Sequence, residues 1–231
     1  LYVSININQI NSERNGNYMN LKKILVGIEG IRAKGEIDRE VTTIEKDSRK
    51  VVEGSMFFAI KGFTTDGTQY IDSAIEKGAK TILVEETTDI KSLNIPEDVT
   101  LIVVPDARYA MAICACNFYD NPSRKVKLIG VTGTKGKTTT TFMIKEILQK
   151  QGIKTGLVGT IAVYSGDKKL LESDRTTPES IELQQYFAQM VEDGCQAIVM
   201  EVSSQSLKLN RVAGCQFDIA VFTNFSEDHI S

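Results

Sequence analysis

The sequence has no apolar run approaching the roughly 18 residues a helix needs to cross bilayer hydrocarbon, and its first residues lack the basic-then-apolar pattern of a secretory signal. Membrane insertion and export are therefore not expected, and the chain is read as cytoplasmic. A basic excess is also missing. Twenty-seven Lys and Arg stand against 30 Asp and Glu, for a formal net charge of -3, so no broad positive field exists to attract nucleic acid or anionic lipid. Any anion has to be held locally by a few placed residues. Cysteine is scarce as well: Cys114, Cys116, Cys195 and Cys215 are scattered through apolar contexts, and a chain of this size needs no disulfide staples. They read as reduced thiols. The Cys114/Cys116 spacing is too short for the usual zinc knuckle and falls in a helix-like run, where buried thiols are packing residues. Histidine is rarer still, with His229 alone.

What is present is enough apolar material, 42% of 231 residues, for two modest cores. The Asn-rich residues 1–18 read as a partly disordered leader ahead of Met19, which itself opens a plausible start. From about Leu21 to Asp120 strand-like and helix-like segments alternate: 55–60, 70–79, 81–85 and 100–104, then a helix over 106–119. The helix runs out at Asn121-Pro122 and a polar stretch follows, which puts a domain boundary at 122–125. The first domain is expected over 19–123 and the second over 124–231. The second reads as a strand at 128–132, a Gly/Lys/Thr loop, a helix to Lys150 closed by Gly152, and strands at 154–159, 196–202 and 218–223. A further helix is expected from Pro178 to Asp193, with Thr177 as its N-cap and Gly194 past its end. Apolar strands alternating with helices predict an α/β fold, the second domain with a mainly parallel sheet covered on both faces. It stops soon after an apolar strand with no closing helix, and is expected to be incomplete.

The strongest local signal is Gly133-Thr134-Lys135-Gly136-Lys137-Thr138, which follows a buried strand and opens a helix. In that context backbone N–H groups and the helix N-terminus hold phosphate. Lys137 is placed to reach the β- and γ-phosphates and Thr138 to put its hydroxyl on Mg²⁺. The eight-residue phosphate-loop pattern is not met, because Val131 stands where its first glycine belongs. A shorter loop remains. Glu201 ends the apolar strand QAIVMEV, and ligands of open parallel sheets bind beyond such strand ends, where a carboxylate can take Mg²⁺.

The short loop followed by Thr138–Thr141, together with DSR at 47–49, TTP at 176–178, MEVSS at 200–204 and TNFSEDH at 223–229 in that order, resembles the Mur ligase family, and the resemblance covers about Met19 to Ser231. It implies a UDP-binding first domain and an ATPase second domain. It also implies ATP-dependent amide formation in cell-wall peptide synthesis, with the carboxylate first activated as an acyl phosphate. EVSS with TTPE favours the members that add the third residue, L-lysine or meso-diaminopimelate, to UDP-N-acetylmuramoyl-L-Ala-D-Glu. ATP and Mg²⁺ are the implied cofactors and a monomer is expected.

By the same resemblance, Gly133, Thr134, Lys135, Gly136, Lys137, Thr138 and Thr139 bind ATP. Ser48, Thr176, Thr177, Ser203 and Arg211 face the UDP-muropeptide. Lys137, Glu201 and His229 serve catalysis, and Thr138, Glu201 and His229 serve the metals, with Asp228 beside them. Taken alone, Ser48 is a turn serine, Thr176 and Thr177 are helix-start residues, and Ser203 and Arg211 are surface residues. Gln205 in place of the histidine common after SS, and EDHIS in place of DHLD, leave the added amino acid open. Other readings are another Mur-type or folylpolyglutamate-like ligase, a phosphate-loop kinase or GTPase, and a non-catalytic UDP-sugar or ATP-binding fragment.

Overall fold

The computed structural model describes residues 2–5, 18–62, 65–173 and 175–226, and the chain divides into two compact units, 1–120 and 121–231. In the first unit the strands are β1 (Val3–Ile5), β2 (Met19–Asn20), β3 (Ile31–Lys34), β4 (Glu40–Val41), β5 (Ile44–Glu45), β6 (Met56–Phe58), β7 (Thr81–Glu85) and β8 (Thr100–Val104). Its helices are α1 (Leu21–Ile24), α2 (Ile71–Glu76) and α3 (Ala107–Phe118). Six strands form one sheet in the order β1-β3-β8-β7-β6-β5. β5 through β8 pair in parallel, and β3 and then β1 extend the β8 side antiparallel. The mainly apolar runs TILVE and TLIVV become β7 and β8 because both faces of a parallel strand are covered. α2 closes one face over Phe57, Ile82, Val84, Leu101 and Val103. Asp106 caps α3 by accepting from Tyr109 N–H at 2.9 Å.

β1 lies within the stretch expected to be a leader. Val3–Ile5 alternates two β-branched residues around a serine, and its register with β3 sets Val3 opposite Ala33 and Ile5 opposite Ile31.

The second unit holds β9 (Lys127–Thr132), β10 (Thr155–Val158), β11 (Ala162–Ser165), β12 (Lys168–Glu172), β13 (Ala197–Glu201) and β14 (Ile219–Phe222), with α4 (Lys137–Lys150), α5 (Ser180–Glu192) and α6 (Ser204–Lys208). Sheet order is β12-β11-β10-β13-β9-β14. The four strands β10, β13, β9 and β14 are parallel, and β11 and β12 extend the sheet as an antiparallel hairpin. That hairpin was not foreseen, although AVYS and KKLLE flank a Gly-Asp turn of the kind that reverses a chain. Side chains alternate across the parallel strands. Leu128, Val158, Ile198 and Met200 meet Leu183, Phe187 and Met190 of α5, while Ile129, Val131 and Val199 on the opposite face meet Ile144 and Leu148 of α4.

The helix expected to start at Pro178 behind a Thr177 cap starts instead at Ser180, with Glu179 at the cap position and no side-chain capping bond. Thr177 does not cap because its hydroxyl is committed to the sheet, as described below. At the other end Gly194 follows with φ +81°, a left-handed turn that glycine adopts without strain.

Candidate active site

The register of the parallel strands brings their C-terminal ends to one edge: Glu201 of β13 lies beside Val131 of β9, and Phe222 of β14 beside Thr132. Val158 of β10 lies beside Met200. Beyond that edge the chain runs through Gly133–Gly136 into α4. The first helical bond runs from Thr140 N–H to Gly136 O at 2.9 Å, so the N–H groups of Lys137, Thr138 and Thr139 leave the helix end without intrahelical partners. Gly136 has φ +83°, and a Cβ built on it meets nothing within 4 Å. The space over the loop is open, and donors plus the positive end of a 14-residue helix face it.

Two features fix the loop. Lys137 Nζ bends back to donate to Gly133 O at 2.7 Å and Thr134 O at 3.1 Å. Two of the ammonium's three donors thereby span the loop, and the third is left for a ligand oxygen. From the other side, residues after β14 lace onto the loop. Lys135 N–H donates to Asn224 Oδ1 at 3.0 Å and Asn224 Nδ2 to Lys135 O at 3.0 Å. Thr134 N–H donates to Asn224 O at 3.0 Å and Thr223 Oγ1 to Lys135 O at 2.7 Å. Gly133, at φ +131°, is required here, because a Cβ would collide with Thr223 Oγ1 and lie 2.9 Å from Asn224 O.

Glu201 is 1% exposed and its carboxylate is met by donors on both oxygens. Thr160 N–H donates to Oε1 at 2.9 Å, and Thr138 Oγ1 and Thr160 Oγ1 donate to Oε2 at 3.0 and 3.1 Å. A buried carboxylate bonded to the hydroxyl that follows the phosphate-loop lysine is a donor set that suits Mg²⁺, which takes one or two carboxylates and completes its shell with phosphate oxygens and water. Among the described residues no group of three or more His, Cys, Asp and Glu gathers to hold a metal without such help. His229 and Asp228 lie outside the described residues.

Next to Glu201, Thr177 is buried and its hydroxyl joins two elements: it donates to Glu201 O at 3.0 Å and accepts from Ser203 N–H at 3.2 Å. Thr176 Oγ1 lies 3.1 Å from Thr160 Oγ1, within hydrogen-bond distance. Ser203 caps α6, its Oγ accepting from Ser206 N–H at 3.1 Å. Arg211 donates from Nη1 to Thr177 O at 3.1 Å and pairs through Nη2 with Glu179 Oε1 at 2.6 Å. Lys137, Thr138, Thr176, Thr177, Glu201, Ser203 and Arg211 thus belong to one linked neighbourhood in the second unit. Thr139 is exposed in the first turn of α4.

Ser48 lies in the first unit, buried at the start of a 3-10 turn (Ser48–Lys50). Asp47 caps that turn by accepting from Arg49 N–H at 3.0 Å, and the Arg49 side chain pairs with it at 2.7 Å, holding the Asp47 carboxyl down at about 2. Cys114 and Cys116 are buried on α3, and burial pushes the Cys114 thiol far above its usual range.

Three residues of this neighbourhood were not singled out from sequence: Thr160, Asn224 and Glu179. Thr160 follows β10 at its C-terminal end, where the strand-end rule points. Asn224 stands inside the TNFSEDH segment, and Glu179 passed as an ordinary helix-start acid.

Comparison with known proteins agrees with both units. Residues 40–119 match the model described as "Mur ligase family, catalytic domain", and residues 131–231 match "Mur ligase middle domain". The chain is 51% identical over 212 residues to the UDP-N-acetylmuramoyl-L-alanyl-D-glutamate--2,6-diaminopimelate ligase of Clostridium botulinum, which covers 92% of this chain and 43% of that protein. Identity to the enzyme numbered 1 of that name in Clostridium acetobutylicum is 50% over the same shares. A solved structure of a ligase of that name superposes with a TM-score of 0.75 at 25% identity, over 93% of this chain and 42% of the other. The chain therefore spans somewhat over two-fifths of the length of the curated relatives it matches. With a family match on each of its two units, the chain belongs to the Mur ligase family.

Proposed function

We propose that this chain is the UDP-binding and ATPase portion of a ligase that adds a diamino acid, the third residue, to UDP-N-acetylmuramoyl-L-Ala-D-Glu. The names of its relatives point to 2,6-diaminopimelate ahead of L-lysine. The observation that carries the reading is the Lys137–Thr138–Glu201 arrangement at the edge of a parallel sheet, joined through Thr160 and Thr177 to the TTP and SS segments. A phosphate-loop kinase needs the first part and has no use for the second.

In this reading bound Mg-ATP supplies the phosphoryl group that turns the D-Glu carboxylate into an acyl phosphate open to attack by an amine. The chain's own residues do the rest. The free N–H groups of Lys137, Thr138 and Thr139 seat the phosphates, and Lys137 holds charge that develops on the transferred oxygens. Thr138 and Glu201 would hold Mg²⁺, which would offset the charge of the phosphates. Thr176, Thr177, Ser203 and Arg211 would set the muropeptide with its carboxylate toward the phosphates, and Ser48 in the first unit would contact the uridine nucleotide. His229 joins the metal-binding set.

Calorimetric titration with Mg-ATP tests the phosphate half. The wild-type chain binds saturably, and Lys137→Ala, which keeps the glycines but removes the ammonium, weakens binding at least about tenfold, the scale of a charge-assisted contact of ~1.5–3 kcal/mol. Equal binding by the two chains refutes the assignment.

A further inference from the structure

Glu179 occupies the cap position of α5 yet makes no capping bond. Its side chain is buried, and Oε1 meets two guanidinium groups instead: Arg211 Nη2 at 2.6 Å and Arg175 Nη1 at 3.2 Å. Arg211 is held at both ends of its fork, by Glu179 and by Thr177 O at 3.1 Å. Two anchored nitrogens fix the plane of a guanidinium, which a single bond leaves free to rotate. Of its other N–H donors, the one on Nε is buried without an acceptor among the described residues. A carboxylate that forgoes a cap to hold an arginine, and an arginine that keeps a spare donor, together indicate pre-organisation. Burying such a pair gains little stability by itself, since the desolvation of both charges offsets their attraction.

We infer that Glu179 is the positioning residue of the muropeptide site. Through Arg211 it fixes the guanidinium plane and the Thr177 carbonyl, so that Thr176, Thr177 and Ser203 stand in one arrangement before the precursor arrives. Glu179 itself touches no ligand. This rests on the reading of that neighbourhood as the muropeptide site and adds to it the residue that sets its geometry.

The test is a double-mutant cycle on the whole 231-residue chain, reading affinity for UDP-N-acetylmuramoyl-L-Ala-D-Glu and, separately, for Mg-ATP. Glu179→Gln keeps the shape and removes the charge; it is expected to weaken muropeptide binding about tenfold while Mg-ATP affinity stays within about twofold. Arg211→Lys, which cannot fork, is expected to cause a similar loss, and Glu179→Gln then adds little in its background. Should Glu179→Gln not fold, Glu179→Asp reports instead, because it keeps the charge but draws the carboxylate back from Arg211, and muropeptide affinity must then fall while Mg-ATP affinity holds. Unchanged muropeptide binding by Glu179→Gln, parallel loss of both ligands, or full additivity with Arg211→Lys overturns the inference while the site reading stands. Failure of the wild-type chain to bind the muropeptide removes both.

Discussion

Replacing Thr177 by valine removes a hydroxyl from a buried site while keeping the branched shape. The hydroxyl links the segment ahead of α5 to the last carbonyl of β13 and the N–H at the α6 cap, through bonds of 3.0 Å to Glu201 O and 3.2 Å from Ser203 N–H. A buried polar group left without a partner costs ~1–3 kcal/mol. Glu201 sits in the 1%-exposed interior, so its carbonyl pays toward the upper end, whereas Ser203 is half-buried and water can serve its N–H. The sum is about 2–4 kcal/mol, or roughly 8–16 °C in melting temperature for a domain near 100 residues. Thr177→Ser, which keeps both bonds and loses one methyl, costs about 1 kcal/mol. Urea unfolding of the three chains followed by circular dichroism measures this directly, with the two units resolved as separate transitions where they differ. If valine proves as stable as serine, the hydroxyl carries no such load and the strut reasoning is wrong.

Two further outcomes follow from the geometry. Gly133→Ala forces a Cβ against Thr223 Oγ1 and Asn224 at a backbone φ of +131°, so the lacing between loop and post-β14 segment is displaced; Mg-ATP affinity should fall by an order of magnitude or more, at a stability cost of ~1–3 kcal/mol by calorimetry. In the first unit, Arg49 lowers the Asp47 carboxyl from an ordinary 3.8 to about 2. A depressed carboxylate contributes stability that is complete above 3.8 and is lost as pH falls through about 2, so acid titration should show a loss across that window that Asp47→Asn abolishes.

Much of this is legible in the sequence. The parallel strands announce themselves as unbroken apolar runs, because TLIVV or AIVME has to be covered on both faces, and the loop announces itself because two glycines around a lysine at a strand-to-helix junction serve few other purposes. The β11–β12 hairpin escaped because its strands are short, carry exposed lysines and join the sheet only at its antiparallel edge. The start of α5 was misplaced because Thr-Pro-Glu satisfies the local rules for a capped helix, and only the β13 carbonyl, brought near by tertiary packing, outbids the helix for the Thr177 hydroxyl. Asn224 and Glu179 could not be seen for the same reason: their partners lie 89 and 32 positions along the chain, and single-sequence pattern records local order.

The most direct measurement is calorimetric titration of the chain with three UDP-linked precursors, carrying L-Ala, L-Ala-D-Glu, and the tripeptide. The account predicts saturable binding of the L-Ala-D-Glu precursor, at least about tenfold tighter than the L-Ala form, which lacks the D-Glu residue and the carboxylate it brings to the γ-phosphate. Equal affinity for all three, or none, contradicts the assignment of the chain to third-residue addition.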